Sequence, residues 1–471
     1  MNSRREFLKG GLGLMLAGGI ARGASANRPK NVLFIIVEDL KAVMGCYGNE
    51  VVQTPNLDRV AARGMVFERA YGQFPVCNPS RTSMLTGLRP DRTGILDNRR
   101  SWHETVGDRV TLPRLFHDNG YHTVGLGKVF HGRDRHGDPT AWHERNDYRP
   151  TEIGREGEGR NLTDGEVKWC RWLAAEGGDE DQPDGQLAAR AVEVLESERD
   201  KPLFLVVGFH KPHDPFHAPK KYFDLYDLEE LDPPTVPEGW QTREEYAIGS
   251  GWKKAFDKFS LRDEREFLRA YYACVTFTDA QIGKVLDALD RGRLWDDTAV
   301  FFVGDHGYEL GEHNWWNKNV LFEDSARVPM IAAVPGLTRP GTRCDALVEM
   351  VDFYPTFADL CGLQAPDDLD GTSFRPLLSE PGRMWKPAAF TQLIRGRDVT
   401  GKSVRTDRWR YTQWRRGGEV VWEELYDHAN DPREYRNLAG QSDVEGRLKE
   451  MREFFGEGGR IKGRMDGPAN P

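Results

Sequence analysis

No hydrophobic run in this chain of 471 residues is long enough to cross a bilayer. The most apolar stretch near the start, residues 10–21, stops well short of a span. There is no internal repeat and no low-complexity segment, which excludes solenoids and tail-like arrays. Cysteine is scarce. The six, at positions 46, 77, 170, 274, 344 and 361, show no C-x-x-C or zinc-finger spacing, so a thiolate metal site and a disulfide-stapled scaffold are both excluded. Excess positive charge is lacking too: 65 Lys and Arg face 74 Asp and Glu, a net charge of −9, with no basic arm or stripe. Nucleic acid is therefore excluded as a partner, and a polyanion would have to be held by a local basic pocket. What the chain does have is length enough for a large core, organised as one big domain and one small one.

The first residues read as an address and not as fold. Ser3-Arg4-Arg5-Glu6-Phe7-Leu8-Lys9 is a twin-arginine signature, and Ala24-Ser25-Ala26 supplies a small-residue cleavage site. The expected division is an export signal over 1–26, a large domain over 27–380 and a C-terminal subdomain over 381–471. That implies a periplasmic or secreted protein, the twin-arginine export machinery as a partner, and no stable membrane anchor.

Short β-rich runs alternate with helical patterns, which predicts an α/β fold: a large, mostly parallel or mixed sheet flanked by helices. Strands are expected at 31–37, 123–129, 203–209, 298–303 and 328–334, and helices from Thr54-Pro55 to about Ala61, over 112–119 and over 263–289. Residues 152–184 are rich in Gly, Glu, Asp and Gln and read as an exposed, lid-like insertion. Near the end, the alternating run 402–414 followed by Gly417-Gly418 predicts a hairpin in a small antiparallel unit.

Chemistry-bearing residues follow the predicted strands. Glu38-Asp39 comes after the first, Lys128 and His131 stand at the end of the second, His210-Lys211-Pro212-His213 comes after the third, and Asp305-His306 after the fourth. Ligands in open α/β sheets bind outside the carboxyl ends of the strands. The run Cys77-Asn78-Pro79-Ser80-Arg81 adds a cysteine at a helix entrance, with Pro79 suited to the first turn and the helix N–H groups favouring an anion. Arg81 brings a guanidinium fork suited to oxyanions. Each cluster alone would be an ordinary turn or cap; jointly they describe a site. The carboxylates Glu38, Asp39 and Asp305, with His306 adjacent, are hard donors that suit Ca²⁺ or Mg²⁺.

These residues together resemble the type I sulfatases of the alkaline phosphatase superfamily. Cys77-Asn78-Pro79-Ser80-Arg81 matches the C-x-P-S-R signature of that family, and Thr86-Gly87 closes its usual tail. The segments 45–48, 127–131, 208–213 and 305–313, with 404–406 and 424–427, are most similar to the iduronate-2-sulfatase branch. The resemblance implies an alkaline phosphatase-like fold over nearly the whole mature chain. It implies that a separate maturation enzyme converts Cys77 to formylglycine, whose hydrate attacks sulfur with one hydroxyl and expels sulfate through the other, an exit that a serine or thiol lacks. It places Glu38, Asp39, Cys77, Asp305 and His306 around one calcium ion, with magnesium the second choice. Arg81 then holds the modified residue, Lys128 and Lys318 contact sulfate, His213 is the general acid and His131 the base, two roles that are interchangeable. The substrate suggested by the branch is a 2-O-sulfated uronic acid in a sulfated saccharide, with Arg99, Arg100, Trp102, His210 and Lys211 as substrate contacts. One departure stands out: the first carboxylate is commonly Asp in this family, and here it is Glu38. Two other readings remain, a phosphonate or phosphate ester hydrolase on the same fold, and a non-catalytic calcium-dependent glycan-binding protein with an intact Cys77.

Overall fold

In the computed structural model, residues 29–132, 137–249, 251–456, 459 and 461 are described. The export signal expected over 1–26 lies outside them. Six longer strands organise a nine-stranded sheet: β1 (Asn31–Val37), β2 (Met65–Tyr71), β3 (His122–Gly127), β4 (Leu203–Phe209), β5 (Thr298–Gly304) and β6 (Arg327–Ala333). Their spatial order is β2-β6-β5-β1-β4-β3, with Thr342–Cys344 and Val348–Glu349 beside β2 and Glu144–Asn146 beside β3. The sheet is mixed, because β6 runs antiparallel to both β5 and β2.

Every residue of β1, β4 and β5 is buried. That is why these segments read as unbroken apolar runs and not as alternation. Leu33, Ile35 and Val37 face one core and Val32, Phe34 and Ile36 the other, as the two-residue period of a strand requires. Six helices matter here: α1 (Pro55–Arg63), α2 (Cys77–Thr86), α3 (Leu112–Asp118), α4 (Pro183–Glu196), α5 (Leu261–Arg291) and α6 (Phe353–Cys361). α1, α4 and α5 cover the first face, and α2, α3 and α6 the second. α5 starts two residues before the expected boundary because Ser260 and Asp263 form a reciprocal capping box around its first turn. Thr54 does not cap α1 with its side chain; its hydroxyl instead accepts the Gly45 N–H at 3.0 Å.

The register decides where the site lies. Val37 pairs with Phe209 on one side and Gly304 on the other, and Gly127 pairs with Gly208. Four parallel strands thus end level, and the residues after each emerge at one edge. Gly208 is needed there: a Cβ on it would come within 1.9 Å of the Lys128 carbonyl oxygen.

One expectation is corrected. The segment 152–184 is no free lid. It holds strands Gly157–Asn161 and Arg171–Ala175, which form a three-stranded sheet with Phe216–Pro219, and Cys170, Trp172 and Ala174 are buried within the core on the α5 side. The hairpin expected around Gly417-Gly418 is present, and the alternating run 402–414 before it spans parts of two strands. The C-terminal sheet is β7 (Ala389–Arg395), β8 (Val399–Arg405), β9 (Trp409–Arg416) and β10 (Glu419–Asp427), each antiparallel to the next, with Gly417-Gly418 between the last two. It carries its own apolar cluster around Phe390, Val404, Tyr411 and Leu425.

Candidate active site

Cys77 is the first residue of α2, and the whole helix is buried. The Ser80 N–H reaches the Val76 carbonyl at 3.1 Å, and Pro79 occupies the first turn, where it has no N–H to waste. Ser80 Oγ donates to the Asp305 carbonyl at 2.5 Å, which ties the helix entrance to the end of β5. The Cys77 thiol therefore points into the level edge of the sheet. Its Sγ lies 3.2 Å from Glu38 Oε1, 3.8 Å from Asp39 Oδ1 and 3.4 Å from His306 Nε2, with Lys318 Nζ at 3.5 Å.

The acidic side of the site is built by backbone and side chain together. Asp39 sits at φ 57°, the left-handed region that Asp tolerates better than most residues, and its N–H donates to Asp305 Oδ1 at 2.9 Å. The His306 N–H donates to the same oxygen at 3.0 Å. His306 Nδ1 lies 2.9 Å from the Gly307 carbonyl, so Nδ1 carries the proton and Nε2 presents a lone pair, 3.2 Å from Asp39 Oδ1. Of the four groupings among the described residues whose ligand atoms lie close enough for one cation, two lie here: Asp39, Cys77, Asp305 and His306, and Glu38, Asp39, Cys77 and His213. Three carboxylates and a free imidazole nitrogen fit a hard divalent ion. The extra methylene of Glu38 does not remove it from the set, since its Oε1 reaches both Cys77 Sγ and, at 3.4 Å, His213 Nε2.

The cations face these anions. Lys318 Nζ binds both Asp39 oxygens at 2.6 Å. Burial opposes the Lys318 charge, but Asp39 outweighs it and holds the ammonium above its usual range. Lys128 Nζ pairs with Glu38 Oε1. Burial draws Lys128 down to about 7. Arg81 is fully buried: Nε donates to Asp305 Oδ2 at 2.8 Å, and Nη1 to the Lys128 carbonyl and, at 3.2 Å, the Val129 carbonyl. Its Nη2 has no hydrogen-bond partner among the described residues. Burial alone would raise Asp305, yet His306, Arg81 and Lys128 hold its carboxyl far below the ordinary carboxylate range. The Cys77 thiol is pushed up by burial, away from the thiolate that a cysteine nucleophile needs.

A cleft of about 410 Å³ opens above this cluster, lined by Glu38, Lys128, His131 and His213 together with Arg145 and Asp147. His213 is held well below the usual imidazole range by burial and by Lys318 and Lys128, and its Nδ1 contacts the Asp214 carbonyl. His210 and Lys211 also line the cleft, but their side chains are engaged. His210 Nε2 lies 2.8 Å from Asp147 Oδ1, and Lys211 Nζ donates to the His213 and Pro215 carbonyls at 2.8 and 2.7 Å. Lys211 is a brace for its loop and not a ready substrate contact. Among the other expected contacts, Arg100 lines a second cavity, Arg99 is exposed and lines neither, and Trp102 is 2% exposed, stacked on His103 and Phe130 in the core. Burial removes Trp102 from any saccharide surface.

Sequence reasoning missed three supports. Asp184, in the first turn of α4, accepts the His210 and Lys211 N–H groups, each at 2.9 Å, and so pins the histidine loop. Asp147 orients His210. Asn78, inside the cysteine motif, binds the carbonyls of Asp97 and Arg100, both at 2.8 Å. Only Asn78 had a signal, its place next to Cys77.

Comparison with known proteins gives a consistent family. The Sulfatase family profile matches residues 30–363, and an N-sulphoglucosamine sulphohydrolase C-terminal profile matches 311–457. A sulfatase of Formosa agariphila is 34% identical over 457 residues, covering 90% of this chain and 85% of that protein. Iduronate 2-sulfatase of Mus musculus is 31% identical over 528 residues, covering 92% and 95%. A solved phosphonate monoester hydrolase of Agrobacterium radiobacter superposes with a TM-score of 0.76 at 22% identity, covering 91% and 95%, which shows the shared fold alone.

Proposed function

The chain belongs to the sulfatase family and is a sulfuric ester hydrolase, and from that premise we propose that it is exported and acts on sulfated saccharides through a formylglycine formed from Cys77. The observation that carries this reading is the position of Cys77 Sγ, buried and within 4 Å of Glu38, Asp39, His306 and Lys318. The thiol stands where the oxygens of the modified residue would be. The favoured substrate is a 2-O-sulfated uronate, in line with the activity named for the mouse relative. The twin-arginine machinery and a formylglycine-generating enzyme are the partners this requires.

Glu38, Asp39, Asp305 and His306 would hold the cation, calcium in this reading. When bound, it supplies positive charge against the sulfuryl oxygens as the ester cleaves. The chain's own residues do the rest. Lys318 and Lys128 place two ammonium groups against the same oxygens, preorganised by Asp39 and Glu38. Arg81 fixes Asp305 and the Lys128 backbone, and its Nη2 makes no hydrogen bond among the described residues, which leaves a donor for the substrate. His213, neutral in the free enzyme, gains a proton more readily once an anionic ester lies beside it, and delivers that proton to the departing sugar oxygen. His131 lines the same cleft and is the proposed base.

Peptide mass spectrometry on residue 77 from the native host, with sulfate release from defined sulfated mono- and disaccharides, tests the reading. An aldehyde at 77 and release from a 2-O-sulfated uronate are expected. An intact thiol with glycan binding but no turnover would instead support the binding-protein reading. Preference for an aryl phosphonate over an aryl sulfate would support the phosphorus-ester one.

A further inference from the structure

A second cavity, of about 450 Å³, begins one residue away from the nucleophile. Val76, which precedes Cys77, and Asn319, which follows Lys318, both line it, and the Asn319 N–H donates to the Pro75 carbonyl at 3.1 Å, which ties their two segments together. Phe74 and Ile394 contribute an apolar lining suited to the C–H face of a sugar ring. Two arginines lie on it, and they come from different parts of the molecule. Arg100 belongs to the loop after α2, and Arg397 to the turn between β7 and β8 of the C-terminal sheet.

Arg100 is placed by the nucleophile's own helix. The Asn78 N–H donates to Asn98 Oδ1 at 3.0 Å, and its side-chain amide holds the Asp97 and Arg100 carbonyls. The Asp97 carboxylate also lines the cavity, but its Oδ1 is occupied by the N–H groups of Arg99 and Arg100, at 2.8 and 3.1 Å. The Arg100 guanidinium is half exposed and only 3.9 Å from Glu104, a weak pairing in solvent. Arg397 is exposed and makes no hydrogen bond or ion pair with the described residues, while its neighbour Asp398 is taken by Arg416 at 3.1 Å. Two guanidinium groups thus border a partly apolar cavity whose lining residues Val76 and Asn319 are the chain neighbours of Cys77 and Lys318.

We propose that this cavity is a saccharide subsite in which Arg100 and Arg397 read a second anionic substituent, a carboxylate or another sulfate, on the substrate whose ester lies at Cys77. The inference rests on the sulfatase reading of that site. It assigns the C-terminal sheet a direct part in substrate choice, through a planar donor fork suited to either oxyanion.

The test compares wild type, R100A, R397A and R397K on three probes: 4-nitrophenyl sulfate, a 2-O-sulfated uronate without other sulfates, and a disulfated glucosamine without a carboxylate. The readout is the ratio of kcat/KM for each saccharide to that for the aryl sulfate. R100A and R397A are expected to lower this ratio by about 10–100-fold, mainly through KM, with partial rescue in R397K. The saccharide that suffers identifies the group being read. Calorimetric titration of the same saccharides into C77A, with and without R397A, repeats the comparison without turnover. Weaker binding in the double variant supports the subsite. Sulfate release with unchanged ratios and equal calorimetric affinities would overturn it and leave the sulfatase reading intact. No release from any probe by wild type bearing the aldehyde would sink that reading instead.

Discussion

Lys318 grips both carboxylate oxygens of Asp39 at 2.6 Å although 279 residues separate them. The same ammonium lies 3.5 Å from Cys77 Sγ, so one cation serves both the ion site and the reacting position. Replacing it should remove a preorganised donor. K318A is expected to lower kcat on an aryl sulfate by about 10²–10³-fold. Steady-state kinetics check this, with thermal unfolding to show that the variant is folded. A loss confined to KM would mean that Lys318 only binds substrate.

The metal prediction follows from the donor set. Chelation should lower both activity and the unfolding temperature, since an ion held by Glu38, Asp39, Asp305 and His306 binds the native state alone. Calcium should restore both better than magnesium, because this set is irregular and Mg²⁺ demands a near-octahedral shell. D305N should lose most of the calcium-dependent rise in Tm. Full activity after exhaustive chelation, with no metal by elemental analysis, would refute the site.

His213 and the leaving group are linked. H213A should slow sugar sulfate hydrolysis by about 10²–10⁴-fold and spare esters of acidic phenols, whose oxygen departs without a proton. Comparing 4-nitrophenyl sulfate with a sugar sulfate measures the difference. Equal losses on both would assign His213 to the ion site or to packing.

Acid stability should depend on Glu349. Burial pushes its carboxyl up, but Arg89 and Lys386 outweigh that and hold it at about 2, against 4.5 unperturbed. A depressed carboxyl contributes stability that is present above its unfolded value and is lost as pH falls through the folded one. The Glu349 contribution is therefore complete above pH 4.5 and decays toward pH 2. Asp352, which shares Lys386 at 2.5 Å, is raised by burial and so takes a proton earlier on the way down. E349Q should cost about 3–5 kcal/mol near neutrality and flatten the loss between pH 4.5 and 2, read by denaturant unfolding at each pH. An unchanged slope would remove Glu349 from the acid response.

Much of the scaffold was legible in the residues. The strands 31–37 and 203–209 match the apolar runs residue for residue, because burial on both faces leaves no polar positions to blur the ends. Four residues of Gly157–Asn161 are exposed, so that strand gave no periodic signal, and its partner Arg171–Ala175 is buried only by chain elsewhere. Within 402–414 the turn between two strands is marked only by Thr406-Asp407, a short signal inside an otherwise continuous alternation. Trp102 is expected from the sequence among the substrate contacts, but it is buried and stacked near Phe130, 28 residues on, which the local sequence does not reveal.

By itself the sequence determined the chemistry on offer: hard carboxylates, histidines and lysines just past buried strands, and a cysteine opening a helix with proline in its first turn. Those are matters of residue type and short-range order, which local sterics and burial impose. The tertiary structure alone decided which of them meet. Level registry of β1, β3, β4 and β5 brings their ends to one edge, and long-range pairs such as Lys318 with Asp39 close the site. It also brought Arg397 from the C-terminal sheet to the cavity that Arg100 lines. Contacts across hundreds of residues are set by how layers pack, and no spacing along the chain encodes them.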